Sequence, residues 1–294
     1  MQRNSRDSRR TLFLTAALIF TMLAVPSGAL AAEGAGGGAG KASLTADRLD
    51  YNPQTNRIDA RGNVHMTRPD GELFGDSGTG TTDGRRFQLD GNVKGHFSNE
   101  GLDIICAHIV LVTEGTNPAR RTITASGDVE LTRREQGEDK ITAQVVSWEL
   151  DRDVYRAMGD VIGNYTRYYV DADEVSRDGE RFAARGIRRY NDRERNVTMS
   201  ASRASGTLGP DGAIRELVAE GNVVLNTPDE KGTISRITGD KGVFSVARGT
   251  LVISGNAMAN QSGRNLHAES IVYHLDSERI EAIGRPSLVI DIPN

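Results

Sequence analysis

The feature that most constrains the fold is a short pattern that recurs eight times and can be aligned on a glycine. The aligned glycines are 27 to 36 residues apart, and most of them are followed by Asn or Asp. They are Gly62, Gly91, Gly127, Gly159, Gly186, Gly221, Gly255 and Gly284. Self-similarity at a nearly constant period is typical of stacked repeats. We therefore expect the 294 residues to form one long repetitive domain rather than two compact ones.

Residue types alternate with a period of two around each glycine. The fourth residue before it is apolar in all eight units: Ile58, Phe87, Ile123, Tyr155, Phe182, Leu217, Leu251 and Ile280. The second residue before it is mostly small: Ala60, Leu89, Ala125, Ala157, Ala184, Ala219, Ile253 and Ala282. The second residue after it is mostly valine: Val64, Val93, Val129, Val161, Arg188, Val223, Ala257 and Pro286. Polar residues lie between them, so each stretch is predicted to be a strand with one buried face.

A second strand precedes the glycine strand in each unit. The clearest example runs through Leu44, Ala46, Leu49 and Tyr51, and segments 143–148, 239–244 and 268–273 resemble it. Polar turns connect the two strands of a unit. Two strands in each of eight units predict an all-β protein of about sixteen strands with few helices.

The recurring glycines predict a line along which the sheet bends, because glycine inside a strand usually marks a bulge or a bend. The small residue two positions earlier predicts a slot beside this line that side chains do not fill. The alternative is that the alanines simply pack tightly against the bend.

The N-terminus has the pattern of an export signal. Four arginines precede the apolar run 12–25, and Ala29-Leu30-Ala31 resembles a cleavage site, so residues 1–31 are expected to be a signal peptide. The glycine-rich segment 32–41 is expected to be a flexible linker to the repeat domain, 42–294. The sequence leaves open Sec or twin-arginine export, and also retention of the apolar run as an anchor.

The charge of the mature chain argues against nucleic acid as a partner. Residues 1–31 contain four of the 36 basic and one of the 40 acidic residues, so their removal leaves 32 against 39 and a net charge of −7. Binding to phosphate backbones requires a basic surface instead.

Leu44-x-Ala46-Asp47-x-Leu49-x-Tyr51 followed by Ile58-x-Ala60-x-Gly62-Asn63-Val64 resembles the OstA-type repeat of the family of lipopolysaccharide-transport periplasmic protein A (LptA). The resemblance extends over roughly residues 42 to 292. It implies a half-open, V-shaped β-jellyroll whose apolar inner face holds the acyl chains of lipopolysaccharide. No cofactor is implied.

The resemblance also implies particular lipid-binding and assembly residues. The expected lipid-binding inner face comprises Leu49, Tyr51, Ile58, Ala60, Val64, Phe87, Leu89, Val93, Ile123, Ala125, Val129, Tyr155, Ala157, Val161, Leu217, Ala219, Val223, Leu251, Ile253, Ile280 and Ala282. The expected assembly edges comprise Leu44, Ala46, Leu49, Leu288, Val289, Ile290 and Ile292. These edges would pair head to tail with another copy, with an LptC-like inner-membrane component or with an LptD-like outer-membrane component. The resulting row of paired proteins would bridge the two membranes.

Segment 171–196 departs from the pattern because it is highly charged and places Arg188 at an inward position. Its seven arginines could meet anionic groups of a glycolipid, but seven acidic residues in the same segment favour a solvated stretch with balanced charge. An inward Arg188 would interrupt the groove.

No catalytic motif is present, so we do not expect an enzyme. The lone Cys106 lies among apolar residues and is expected to be a core residue, and the five histidines are too scattered to predict a metal site. The acidic residues beside the motif are Asp47, Asp76, Asp128, Asp160 and Asp240. A β-helix polysaccharide-active enzyme could use such carboxylates, but solvent-facing residues are the simpler interpretation. A structural solenoid on the cell surface is the other alternative, and it would need a filled core.

Overall fold

The structure, a computed structural model, describes residues 42–290 except 70, 99–100, 116–119, 134–138, 150–151, 153, 167, 194–195, 210–213, 229–231, 275–276 and 278. The signal peptide, the linker and the assembly residue Ile292 predicted from the sequence lie outside this part of the chain. Within it, every regular element is a strand, and no helix is long and apolar enough to cross a membrane.

The strands are β1 Ser43–Thr45, β2 Arg48–Asn52, β3 Arg57–Arg68, β4 Gly71–Thr81, β5 Arg86–Phe97, β6 Leu102–Glu114, β7 Arg120–Arg133, β8 Asp139–Glu149, β9 Val154–Asn164, β10 Tyr168–Asp178, β11 Arg181–Asp192, β12 Val197–Leu208, β13 Ile214–Pro228, β14 Ile234–Ser245, β15 Thr250–Gln261, β16 Arg264–His274, β17 Ile280–Ile283 and β18 Ser287–Ile290. Each pairs antiparallel with its neighbours in one open sheet. The short strands β1 and β2 both pair with β3, and β17 and β18 both pair with β16. The 18 strands therefore occupy sixteen positions in eight units, which confirms the predicted all-β architecture.

A bulge interrupts each long glycine strand at the aligned glycine. In β3 the pairing with β4 shifts between Arg61 and Val64, and the skipped residues Gly62 and Asn63 have φ of 74° and 48°. Left-handed backbone is accessible to glycine and, among other residues, most readily to Asn and Asp, which explains the Gly-Asn and Gly-Asp pairs. The predicted line of bends is present.

The bends fold the sheet into two layers, and every long strand contributes one half to each. The first layer contains β2, β17 and the half of each long strand that lies in the same row of paired segments as these two. The second layer contains β1, β18 and the other half of each long strand. The rings of Phe97 in the second layer and Trp148 in the first are edge to face with centroids 5.7 Å apart. Their strands β5 and β8 are three positions apart in the sheet, about 14 Å if it were flat, so this contact requires the layers to face each other.

Candidate functional site

The structure places the predicted inner-face residues on the side of the sheet that the two layers enclose. Most of them are buried, including Leu89, Ile123, Tyr155, Leu217 and Ile253. Ile58, Leu251, Ile280 and Ala282 are half-buried. Leu49 and Tyr51 of β2 are 47% and 54% exposed because no described strand lies beyond β2. The alternation therefore identifies the inward side correctly, whereas lipid contact by these residues stays a prediction.

The small residues beside the glycines lie at the line of bends, where the two layers converge. This line is called the fold line below. Ala60, Ala125, Ala157 and Ala219 are each at most 1% exposed. Small side chains are needed there because two sheet layers that meet at an angle leave little space between them. These alanines do not line the cavity described next. Their burial is what the alternative interpretation, tight packing of the alanines at the bend, expects.

An open cavity of about 620 Å³ lies between the layers at the N-terminal end, away from the fold line. Its size is within the range typical of small-molecule sites. Both layers contribute walls, and the apolar part of the lining includes Leu44, Ile58, Met66, Phe87 and Leu111. Of these, Ile58 and Phe87 were predicted as lipid-binding and Leu44 as an edge residue.

Met66 and Leu111 were missed by the sequence-based prediction, although Met66 follows the pattern. It lies two residues after Val64 and therefore points to the same face. Extending the alternation by one more step from the glycine would have found it. The cavity is also lined by Arg68, Arg86 and Arg121, which the apolar pattern gives no reason to select.

Aromatic side chains fill the interior in the middle of the chain. Besides the contact between Phe97 and Trp148, the rings of Tyr165 and Tyr168 stack at a tilt with centroids 4.4 Å apart. Tyr165 is buried, and loss of hydration raises the pKa of its hydroxyl well above the usual value. The predicted inner face is thus packed against itself in the middle of the chain and open at its N-terminal end.

The prediction that Arg188 points inward is wrong. Its side chain is 44% exposed, and its guanidinium forms ion pairs with Asp171, Asp173 and Asp160. The neighbouring Ile187 is the buried residue. The cause is a displaced bulge: the pairing of β11 with β12 shifts between Ile187 and Tyr190 instead of at the glycine, and Ile187 lacks the positive φ that the residue after the glycine has in the other units. The inward position therefore comes one residue earlier.

The two ends of the sheet differ in how far their apolar edge residues are exposed. Leu288, Val289 and Ile290 of β18 are 53% to 58% exposed, and β18 pairs with β16 on one side alone among the described strands. At the other end, Leu44 and Ala46 are partly buried against the core. Strand edges of this kind offer free N–H and C=O groups to another chain.

Several of the recurring acidic residues form hydrogen bonds at the fold line. The carboxylates of Asp47, Asp76 and Asp240 lie against the glycines of their units. Each accepts a hydrogen bond from the Asn that follows the glycine, at 2.9, 2.8 and 3.3 Å. Asp128 accepts a hydrogen bond from Gln144, and Asp160 lies 3.7 Å from Arg188.

Four of the five histidines contact carboxylates on neighbouring strands: His65 with Glu72, His96 with Asp103, His108 with Asp90, and His274 with Glu281. Among the residues that the structure describes, no group of three or more His, Cys, Asp or Glu side chains could hold a metal ion. Cys106 is buried, and burial raises the pKa of its thiol to about 11, so it has the environment expected of a core residue.

These features define a class of protein: an open, repeat-built β-jellyroll with a two-walled cavity of mixed apolar and polar lining near one end and strand edges with apolar residues at both ends. Residues 113–279 match the family model described as LptA/(LptD N-terminal domain) LPS transport protein. Because this match covers more than half of the chain, the protein belongs to the LptA/LptD N-terminal domain family of lipopolysaccharide transport proteins, as the repeat predicted.

Comparison with individual proteins adds one structure. No curated protein matches the sequence. Among solved structures, a similar one is LptH from Pseudomonas aeruginosa, described as the LptA homologous periplasmic component of the conserved lipopolysaccharide transport device. The two are 15% identical, and the match covers 54% of this chain and 98% of LptH with a TM-score of 0.30.

Proposed function

We propose that this protein is a periplasmic lipopolysaccharide carrier. In this proposal it holds lipid acyl chains in the N-terminal cavity and passes them along a row of similarly folded proteins that bridges the inner and outer membranes. The observation that carries the proposal is the cavity itself, which is open and has apolar side chains from both layers in its lining. Membership in a family of transport proteins supports the same reading.

The physical basis is the transfer of acyl chains between apolar surfaces. Burial of each methylene group is worth about 0.8 kcal/mol, so a carrier must shield many of them throughout transit. The cavity lies at the N-terminal end of the sheet, where Leu49 and Tyr51 expose further apolar surface on the same face. A partner with the same fold, paired to this edge, would continue the apolar surface.

Site-specific photocrosslinking tests the lipid assignment. A photoreactive amino acid in place of Met66 or Ile58, which line the cavity, is expected to label lipopolysaccharide in living cells. The matched controls are Thr67 and Asp59, which are adjacent in sequence and point to the opposite face. Equal labelling at inner and outer positions would contradict the proposal.

A pair of proline variants tests the bridge. Consecutive N–H groups of a strand point to opposite edges, so one of Leu288→Pro and Val289→Pro removes a donor from the free edge of β18 and the other removes one that faces β16. The free-edge variant is expected to shorten head-to-tail assemblies in light scattering with little loss of stability. Assemblies of unchanged length in both variants would exclude pairing through β18.

A structural solenoid is the second candidate, because the packed interior around Trp148 and Tyr165 is the filled core that such a protein needs. The crosslinking experiment separates the two functions. A solenoid would show no lipid labelling at Met66 or Ile58.

A further inference from the structure

Two pairs of aromatic rings occupy the space between the layers directly beyond the cavity. Of the described strands, β7 is the last to contribute to the cavity lining, and Trp148 lies on the next strand, β8. The ring of Trp148 meets that of Phe97 from the opposite layer, and the rings of Tyr165 and Tyr168 follow between β9 and β10. All four side chains are between 3% and 6% exposed. These four residues are called the aromatic partition below.

The aromatic partition lies on the side of the groove opposite the fold line. Phe97 is the last residue of β5, Trp148 is the last but one of β8, and Tyr168 is the first of β10. Two layers joined at a bend are farthest apart at the ends of their strands. Rings that meet at these ends therefore close the wide side of the groove, whereas the alanines occupy its narrow side.

Tyr165 fills a place that a strand side chain has in other units. Gly163 is the fourth residue after the aligned Gly159. At the same position three other units carry Met66, Leu131 and Leu225. A Cβ on Gly163 would lie 2.6 Å from the ring of Tyr165. The glycine therefore leaves space for the tyrosine ring, which enters the groove from beyond the end of β9.

The contacts that hold Tyr165 in the groove are weaker than those of a core ring. A void of about 10 Å³ lies against the ring, so part of it has no van der Waals partner. The backbone is fixed from outside: the exposed Arg193 donates hydrogen bonds to the carbonyl of Tyr165 at 2.5 Å and to Oδ1 of Asn164 at 2.7 Å. The N–H of Thr166 donates to Asp139 at 3.1 Å. Hydrogen bonds of this kind exchange with water at a modest net cost.

We propose that the aromatic partition is a gate, which confines bound acyl chains to the N-terminal part of the groove and opens when Arg193 releases the backbone of Tyr165. This inference rests on the proposed function and adds its regulation: lipid stays in the cavity and moves on after the rings separate. Beyond the partition the inner face is apolar again, with Leu251 and Leu266 partly buried against the core. This surface would take over the acyl chains.

The test compares lipid contact on the two sides of the partition. A photoreactive amino acid is placed at Ile58, which lines the cavity, or at Leu251 beyond the partition; both residues are half-buried. The full-length mature protein is loaded with lipopolysaccharide and irradiated. Because a minor open state is populated to about 10% or less, labelling at Leu251 is expected to be at most about a tenth of that at Ile58.

Two variants open the gate in different ways. Tyr165→Ala removes a ring, whereas Arg193→Gln weakens the hold on the Tyr165 backbone and leaves all four rings in place. Each is expected to raise labelling at Leu251 relative to Ile58 by about threefold to tenfold, the effect of one lost hydrogen bond on an equilibrium. Arg193→Gln should also leave the melting temperature close to that of the unaltered protein, so it tests the gate even if Tyr165→Ala does not fold.

Each variant has a matched control that is expected to leave the labelling ratio unchanged. Arg203→Gln removes another exposed arginine, which is paired with Glu220. Ile187→Ala removes a buried side chain outside the partition and controls for lost stability. An equal rise in the controls would overturn the gate.

The remaining outcomes separate the gate from the proposed function. Equal labelling at Ile58 and Leu251 in the unaltered protein would overturn confinement, and an unchanged ratio in both opening variants would overturn the gate; either leaves lipid binding in the cavity standing. A rise in Tyr165→Ala without one in Arg193→Gln would overturn the role of Arg193. Absence of labelling at both positions would overturn the proposed function and this inference with it.

Discussion

Replacement of Gly127 by alanine tests why the fold line requires glycine. Gly127 has φ of +80°, and a Cβ added to it would lie 2.6 Å from the Cβ of Ala107 on the neighbouring strand. The left-handed backbone costs an alanine about 1–2 kcal/mol. Overlap with Ala107 adds about 1–3 kcal/mol, as overpacking does in protein cores. We expect Gly127→Ala to lower the free energy of unfolding by about 2–5 kcal/mol.

Gly179 provides the matched control, because its φ is +57° and a Cβ there would have no atom within 4 Å. Gly179→Ala should therefore lose about 1–2 kcal/mol, from the backbone alone. Adding Ala107→Gly to Gly127→Ala removes the overlap and should recover stability, less about 0.5–1 kcal/mol for a second glycine in a strand.

The assay is urea unfolding followed by the fluorescence of Trp148, the sole tryptophan, whose strand β8 pairs with β7. The reasoning is refuted if Gly127→Ala loses no more stability than Gly179→Ala, or if Ala107→Gly brings no recovery. Either result would mean that the two strands separate at little cost and that the close approach at the fold line is unimportant.

Three further predictions use the same unfolding assay. Ile187→Ala should lose about 2–5 kcal/mol and Arg188→Ala less than about 1, and the reverse order would contradict the displaced bulge. The Cys106 thiol has a folded-state pKa of about 11 against about 8.5 when unfolded. The unfolded chain therefore loses this proton first, and stability should fall as the pH rises between these values; Cys106→Ala should show a shallower decline. Phe97→Ala should lose about 3–5 kcal/mol because the ring joins the layers, whereas the exposed Phe74 should tolerate alanine with a loss under about 1.5 kcal/mol; similar losses would mean that the layers are not held together there.

The candidate site was predictable in part. Alternation around the glycines identifies the inward side of each strand, so the orientation of Ile58 and Phe87 follows from neighbouring residues alone. The same reasoning failed at Arg188, because the place where a bulge falls depends on how two strands pair, and a bulge displaced along the strand changes which residues point inward. It also could not find Arg86, which is the first residue of β5, where the alternation only begins.

What the sequence by itself determined is the all-β class, the eight units, the line of bends and the family, since each depends on residue types at short and regular spacing. What the tertiary structure alone decided is where space remains between the layers. The alanines beside the glycines are enclosed because two layers joined at a bend are closest there. The cavity forms farther from the bend at the N-terminal end, where Met66 lines one layer and Leu111 the other. The width of that space depends on how the whole sheet folds over itself, and no local pattern records it.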